Sequence, residues 1–150
     1  MGFEFSLACD FRIVTQCAEL SLPEMKIGMI PGSGGSVRLA RMIGLSRVKD
    51  MIMRGKRISG AEAFNLGLAS ELVDKDKIEI TIEKLVDELC SISPLAQRAI
   101  KTVLNASQDA PLHVAIELEG ETYGRLRSSN DFNEGVKSFV EKRKPIYNGN

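Results

Sequence analysis

Two segments carry most of the information in this chain: MGFEFSLACDFRI at residues 1–13 and LPEMKIGMIPGSGG at residues 22–35. Each places one glutamate, Glu4 or Glu24, among apolar residues and beside a glycine or a proline. A carboxylate that is withdrawn from water is costly to ionise, and folds use pairs of such groups as an acid and a base near neutral pH. The pattern therefore indicates acid–base chemistry, although most glutamates only solvate a surface.

The composition excludes several classes of protein. The 20 lysines and arginines balance 20 acidic residues, so no net positive field is available to hold nucleic acid or an anionic membrane. No apolar run approaches the roughly 20 residues of a membrane-spanning helix, and no targeting segment is visible. Cys9, Cys17 and Cys90 form no CxxC pair, and the chain has a single histidine. We therefore expect no zinc site and a reduced, intracellular setting.

Residue patterns predict an α/β chain in which strands come first and helices follow from about residue 74. We expect a helical turn over residues 3–8 and strands over 11–14, 19–22 and 68–73. Helices are expected over 36–43, 46–54, 59–65 and 76–89, then from Ser93-Pro94, over 111–127, and from a cap at Asn130 to a stop at Pro145. The helix after Ser93 has a predicted inner face of Leu95, Ala96, Ala99, Ile100, Val103 and Leu104. The chain thus divides into residues 1–73 and 74–150 of one domain.

Residues 27–35 form a loop with four glycines that leads into a helix. Such a loop can offer backbone N–H groups to an anion or to a polarised carbonyl. It is not a nucleotide-binding loop, because it lacks the last glycine of GxGxxG and no GK[ST] follows. It is not a nucleophile elbow either, since Pro31 stands where that motif needs glycine. A tight turn that serves helix packing is an equally good interpretation.

Four blocks resemble the enoyl-CoA hydratase/isomerase (crotonase) family and occur in the family's order. They read GFEFSLACDFRI from residue 2, LPEMKIGMIPGSGGSVRLARMIG from residue 22, RISGAEAFNLGLASELV from residue 57 and EGVKSFVEKRKP from residue 134. The resemblance implies part of the crotonase spiral of ββα units, followed by C-terminal helices. It also implies a substrate that is an acyl group held as a coenzyme A thioester, with no metal or separate cofactor.

The resemblance assigns a role to each glutamate. Glu4 helps to activate a water molecule for attack at C3, and Glu24 delivers a proton to C2, so that a 2-enoyl-CoA is hydrated. Family members that only move a double bond usually keep the glutamate matched by Glu24 alone. Met1 and Gly2 match the stretch that supplies one N–H group of the oxyanion hole, which stabilises negative charge on the thioester oxygen.

The remaining residues implied in substrate binding lie on both sides of residue 74: Pro23, Gly32, Tyr123, Phe139 and Lys142. In the family, the aromatic positions help to bind the adenine end of coenzyme A and the basic C-terminal region approaches its phosphates. Cations at a helix C-terminus also complement the helix dipole without any ligand. His113, the only histidine, falls opposite the apolar stripe of its helix and is expected to face solvent.

Family members carry a further segment ahead of the block that begins here at Met1. It supplies the other oxyanion N–H group, much of the coenzyme A cleft and the opening strands. We therefore expect a truncated chain that is inactive alone, from a trimeric or hexameric enzyme of the cytoplasm or the mitochondrial matrix. The alternatives are a non-catalytic crotonase-like piece that assembles with copies of itself or a paralogue, and an acyl-CoA isomerase of the same family.

Overall fold

Short strands and helices alternate up to Val73, and every regular element after that residue is a helix. The computed structural model describes all residues from 1 to 150 and forms two compact units, residues 1–82 and 83–150. The predicted division at residue 73 stays a prediction. The strands are β1 (Ile13–Thr15), β2 (Glu19–Leu20), β3 (Ile58–Ser59) and β4 (Glu71–Val73). The α-helices are α1 (Gly2–Ser6), α2 (Gly35–Ile43), α3 (Leu45–Met53), α4 (Gly60–Asn65), α5 (Ile78–Cys90), α6 (Pro94–Ser107), α7 (Leu112–Arg127) and α8 (Asn130–Val140), and 3₁₀ helices cover Glu24–Ile27 and Lys75–Lys77.

The strands pair in two short ladders. β1 runs parallel to β4, with Val14 opposite Leu72, and β2 runs antiparallel to β3, with Leu20 opposite Ile58. The three predicted strands exist but are shorter than expected, and β3 was not predicted. Two residues are too few to show the alternation by which a strand is recognised, so β3 is defined only by its pairing.

The apolar core of the first unit gathers side chains from most of its elements. Leu7, Leu22, Leu39, Ala63 and Leu68 are each at most 2% exposed, and Val48, Met51, Ile52 and Ile58 pack in the same cluster. Leu22 follows β2, and Leu68 follows α4. The core thus holds Leu22 and Leu68 in place, and the glycine-rich loop of residues 27–35 lies between them in the sequence.

Local capping signals account for the starts of three α-helices, α4, α6 and α8. The Ser59 hydroxyl accepts the N–H of Glu62 at 3.2 Å, and the Glu62 carboxylate accepts the N–H of Ser59 at 2.8 Å, which confirms the predicted capping box. Ser93 and Pro94 start α6 as predicted. The predicted cap at Asn130 is wrong by one residue, because the Ser129 hydroxyl accepts the N–H of Phe132. The predicted stop at Pro145 is also wrong, since α8 ends at Val140.

The second unit leaves much of its predicted apolar stripes exposed. In α6, Val103 is buried and Leu95, Ala96 and Ala99 are half-buried, whereas Ile100 and Leu104 are 48% and 57% exposed, so the predicted inner face is wrong at two of its six positions. In α8 the buried residues are Asp131 and Ser138. A periodic stripe shows which side chains share a helix face, but another element has to pack on that face to bury it.

The segment after α8 folds back on the start of that helix through two carboxylates. Asp131 accepts hydrogen bonds from the Ser93 hydroxyl at 2.5 Å and from the N–H groups of Asn148 and Gly149. Glu134 accepts two from the Arg143 guanidinium, at 2.6 and 2.9 Å, and one from the Ile146 N–H. The Arg143 hydrogen bonds lower the pKa of Glu134 from 4.5 to about 2, and the Ser93 hydroxyl lowers the pKa of Asp131.

Acid is expected to release this C-terminal segment. Because both pKa values are depressed in the folded state, the contribution of these carboxylates is complete above their unfolded pKa and is lost as the pH falls through the folded value. The amide NMR signal of Ile146 should therefore move to an unstructured position between pH 4.5 and about 2, and those of Asn148 and Gly149 should move as acid protonates Asp131 below its ordinary pKa. Glu134→Gln should loosen Ile146 at neutral pH, whereas the control Glu119→Gln on α7 should not. Signals that stay in place in acid and in Glu134→Gln would contradict this expectation.

Candidate active site

Glu4 is a buried acid whose carboxylate is held by backbone N–H groups. It lies on α1 and is 4% exposed. Its Oε1 accepts the N–H of Ser33 at 2.9 Å and the N–H of Gly35 at 3.2 Å. The loop between residues 27 and 35 therefore binds a carboxylate of this chain itself, across 29 and 31 residues of sequence.

The start of α2 explains why the carboxylate lies there. The N-cap residue of α2 is Gly34, which has no side chain to accept a hydrogen bond from the helix N-terminus. The first N–H groups of a helix need external acceptors, and the helix dipole favours negative charge beside them. Glu4 meets both needs from a different helix. Gly34 has φ +82°, a left-handed conformation that favours glycine.

Arg12 holds the end of α1 in place, and sequence reasoning missed it. Its guanidinium donates hydrogen bonds to the carbonyl oxygens of Ser6, Cys9 and Leu68. These contacts tie the segment that carries Glu4 to the segment that leads into β4. The one signal in the sequence was a charged residue next to the apolar residues of a predicted strand.

Glu24 differs from Glu4 in its surroundings. It begins a 3₁₀ helix directly after Pro23. Its Oε2 atom is buried and has no hydrogen-bond partner. A buried acceptor without a partner is costly, and in a native structure it calls for a functional or structural explanation. No hydrogen bond joins Glu24 to Glu4, but both lie in the unit of residues 1–82.

The other predicted site residues of this unit are neighbours of the glutamates in the sequence or belong to the glycine-rich loop: Met1, Gly2, Pro23 and Gly32. Met1 and Gly2 start α1, and the Met1 carbonyl accepts the N–H of Phe5. Pro23 and Gly32 are both exposed. A Cβ on Gly32 would meet no atom within 4 Å, and its φ is not positive. Packing within this chain therefore does not explain the glycine at position 32, whereas it does explain Gly35, whose Cβ would reach Glu4.

Tyr123 and Phe139 line one cavity of the second unit, with a volume of about 560 Å³. Its walls are mostly apolar and include Leu126, Phe132 and Tyr147. Lys142 does not line this cavity. It is exposed and has φ 52° just after the end of α8.

The structure also shows the surroundings of the single histidine and the three cysteines, and the lengths of the helices. His113 is exposed, as expected. Cys9, Cys17 and Cys90 are exposed and unpaired. None of the helices combines the length and the apolar character required to cross a bilayer.

Comparison with known proteins gives concordant matches over the whole chain. Methylglutaconyl-CoA hydratase 1, mitochondrial, of Pyricularia oryzae is 37% identical over 171 residues, which cover 99% of this chain and 47% of that protein. Short-chain-enoyl-CoA hydratase of Clostridium acetobutylicum is 30% identical and matches 95% of this chain and 55% of that protein. The crystal structure of an enoyl-CoA hydratase from Bacillus anthracis superimposes with a TM-score of 0.96 at 38% identity, over 99% of this chain and 58% of that chain.

The chain spans about half the length of the curated relatives that it matches. Over that span the superposition confirms the predicted partial crotonase-like fold, with its C-terminal helices. The family model for enoyl-CoA hydratase/isomerase matches residues 1–150. Because the family model matches all residues of this chain and solved relatives share the fold over the same span, this chain belongs to the enoyl-CoA hydratase/isomerase family.

Proposed function

We propose that this chain forms the catalytic part of an enzyme that adds water across the double bond of a 2-enoyl-CoA thioester. The observation that carries the proposal is the contrast between the two glutamates. Glu4 is fixed by two backbone N–H groups, while Glu24 keeps a buried oxygen without a partner. Addition of water needs a positioned base and a group that can exchange a proton with the reacting carbon. The pair supplies both types of group.

In the proposed reaction the hydroxyl of water bonds to C3 and a proton bonds to C2. Glu4 helps to activate the water, and Glu24 delivers the proton to C2. The negative charge that develops on the thioester oxygen is stabilised by an oxyanion hole, to which the stretch of Met1 and Gly2 contributes one N–H group. Water is the only other reactant, so the proposal includes no metal and no separate cofactor.

Substrate binding is proposed at the remaining family positions. Tyr123 and Phe139 would receive the adenine end of coenzyme A, and their shared apolar cavity supports this role, because aromatic rings stack well on a flat heterocycle. Lys142 would approach the phosphates. Pro23 and Gly32 complete the set, and the open space at Gly32 allows close approach of a ligand to the backbone.

We also propose that the working protein is a homo-oligomer, a trimer or a hexamer. Large apolar side chains on α7 and α8 are widely exposed, among them Leu112 at 76%, Phe139 at 85% and Val140 at 74%. Exposed apolar surface of this kind marks interaction sites in many proteins. Cytoplasm or mitochondrial matrix stays the predicted compartment.

The products formed from two substrates test the reaction. The full-length natural protein that contains this chain is incubated separately with crotonyl-CoA and with a 3-enoyl-CoA. The thioesters are then separated by chromatography, and their masses are measured by mass spectrometry. We expect crotonyl-CoA to gain one water. Double-bond migration in the 3-enoyl-CoA without hydration would favour an isomerase, and unchanged thioesters would favour a non-catalytic protein. The 150-residue chain alone is expected to be inactive, and hydration by it would contradict that expectation.

A further inference from the structure

Gly35 is the residue of the glycine-rich loop that comes nearest to Glu4. A Cβ built on Gly35 would lie 2.6 Å from Cγ, 2.9 Å from Oε1 and 3.2 Å from Cδ of Glu4. Real Cβ atoms essentially never lie within 3.0 Å of such an atom, and two of these three distances are shorter than that. Any other residue at position 35 would have to displace the Glu4 side chain or move the start of α2.

The backbone conformation of Gly35 does not itself require glycine. Gly34 has φ +82°, and a Cβ there would meet only the guanidinium end of Arg38, a flexible side chain. Gly35 has no positive φ and is the first residue of α2. The two neighbouring glycines therefore have separate explanations: conformation at Gly34 and space for a buried carboxylate at Gly35.

We propose that Gly35 is a positioning residue for Glu4, because only a residue without a side chain lets the N-terminus of α2 close on that carboxylate. Both bonds to the loop use Oε1, so the contact fixes the orientation of the carboxylate and leaves Oε2 free of the loop. This inference rests on the proposed function of Glu4 as the group that helps to activate water. It predicts that a methyl group at position 35 acts on turnover through Glu4.

A double-mutant cycle in the full-length natural protein that contains this chain tests the inference. Hydration of crotonyl-CoA is measured for wild type, Gly35→Ala, Glu4→Ala and the double variant. A displacement of a catalytic group by about 1 Å can cost 10²-fold, so we expect Gly35→Ala to lower kcat by about 10²-fold and to change KM by less than about threefold. In the Glu4→Ala background the same change should have no further effect, because residues that act as a unit are not additive.

Gly120→Ala on α7 is the matched control, since a Cβ there meets no atom within 4 Å. It should retain the wild-type kcat. Either a kcat for Gly35→Ala within about threefold of wild type, or an equal loss in both backgrounds, would overturn the inference. If Gly35→Ala does not fold, Glu4→Ala should restore folding by emptying the space that the methyl group needs, and a double variant that also fails to fold would overturn it.

The proposed function and this inference can fail separately. If Glu4→Ala hydrates crotonyl-CoA at the wild-type rate, the role of Glu4 in the reaction is lost. Hydrogen exchange of the peptide that contains Ser33 then tests whether Gly35 positions Glu4, because displacement of Glu4 removes the acceptor of the Ser33 N–H. Faster exchange in Gly35→Ala supports the inference, and unchanged exchange overturns it.

Discussion

Glu24→Gln is expected to lower the rate of crotonyl-CoA hydration by about 10² to 10⁴-fold, the usual contribution of a general acid or base. Glutamine keeps the size of the side chain but cannot give up a proton to C2. The buried Oε2 of Glu24 makes no hydrogen bond in this structure, so the change removes no observed contact of that oxygen. The loss should therefore appear in kcat with little change in the melting temperature.

The matched comparison is Glu79→Gln, an exposed glutamate on α5 that lies outside the proposed machinery. It should retain the wild-type rate. Glu4→Gln should also slow hydration strongly, because the amide oxygen can still accept the N–H groups of Ser33 and Gly35 while the proton-accepting carboxylate is gone. A folded Glu24→Gln enzyme with the wild-type rate would remove Glu24 from the mechanism.

Sequence patterns correctly predicted the features of the fold that depend only on residues close together in the chain, such as helix starts. The capping box of Ser59 and Glu62 forms within four positions of sequence, and Ser93 with Pro94 starts α6 on the same basis. β3 depends on pairing with β2, for example Ile58 with Leu20, and two residues carry no periodic signal. Its existence could not be predicted from its own sequence.

Burial in the second unit shows the same limit. In α8, the apolar Phe139 is 85% exposed, whereas the charged Asp131 is 4% exposed. Asp131 can be buried because Ser93 and the backbone at Asn148 and Gly149 satisfy its carboxylate. Those partners come from other segments, so the sequence of α8 alone could not indicate which of its sides is covered.

The candidate site was predicted unevenly for a related reason. Family resemblance pointed to Glu4 and Glu24, because motifs preserve the identity of such residues. The supporting contacts are long-range: Arg12 reaches the Leu68 carbonyl across 56 residues, and Gly35 meets Glu4 across 31. In the sequence Gly35 was one of several loop glycines, and only the folded chain shows what each glycine approaches.

Gly60→Ala is expected to destabilise the first unit severely. A Cβ on Gly60 would lie 1.8 Å from the carbonyl oxygen of Thr15 and 2.9 Å from its carbonyl carbon. Both are backbone atoms of β1, which is held in register with β4 through the pair of Thr15 and Val73. The Thr15 carbonyl also accepts the N–H of Ala18 at 3.1 Å, so turning it aside would break that hydrogen bond, and leaving it in place would force α4 to move away.

Movement of α4 would also break the hydrogen bond from the Gly60 N–H to the Ala18 carbonyl, which is 2.8 Å long. It would uncover Ala63, which is 0% exposed. Overpacking in a core typically costs about 1 to 3 kcal/mol and occasionally more, and these additional losses place Gly60→Ala at about 3 kcal/mol or above. Native proteins are stable by only about 5 to 15 kcal/mol, so we expect a large fall in the urea midpoint or in soluble yield.

Gly124→Ala is the control, and it should change the free energy of unfolding in the opposite direction. Gly124 lies inside α7, and a Cβ there meets no atom within 4 Å. Replacing glycine by alanine inside a helix typically stabilises by about 0.5 to 1 kcal/mol, so this variant should unfold at slightly higher urea than wild type. If Gly60→Ala instead unfolds together with wild type, α4 must lie farther from β1 than the contact with Thr15 requires, because a real Cβ essentially never lies within 3.0 Å of a backbone oxygen.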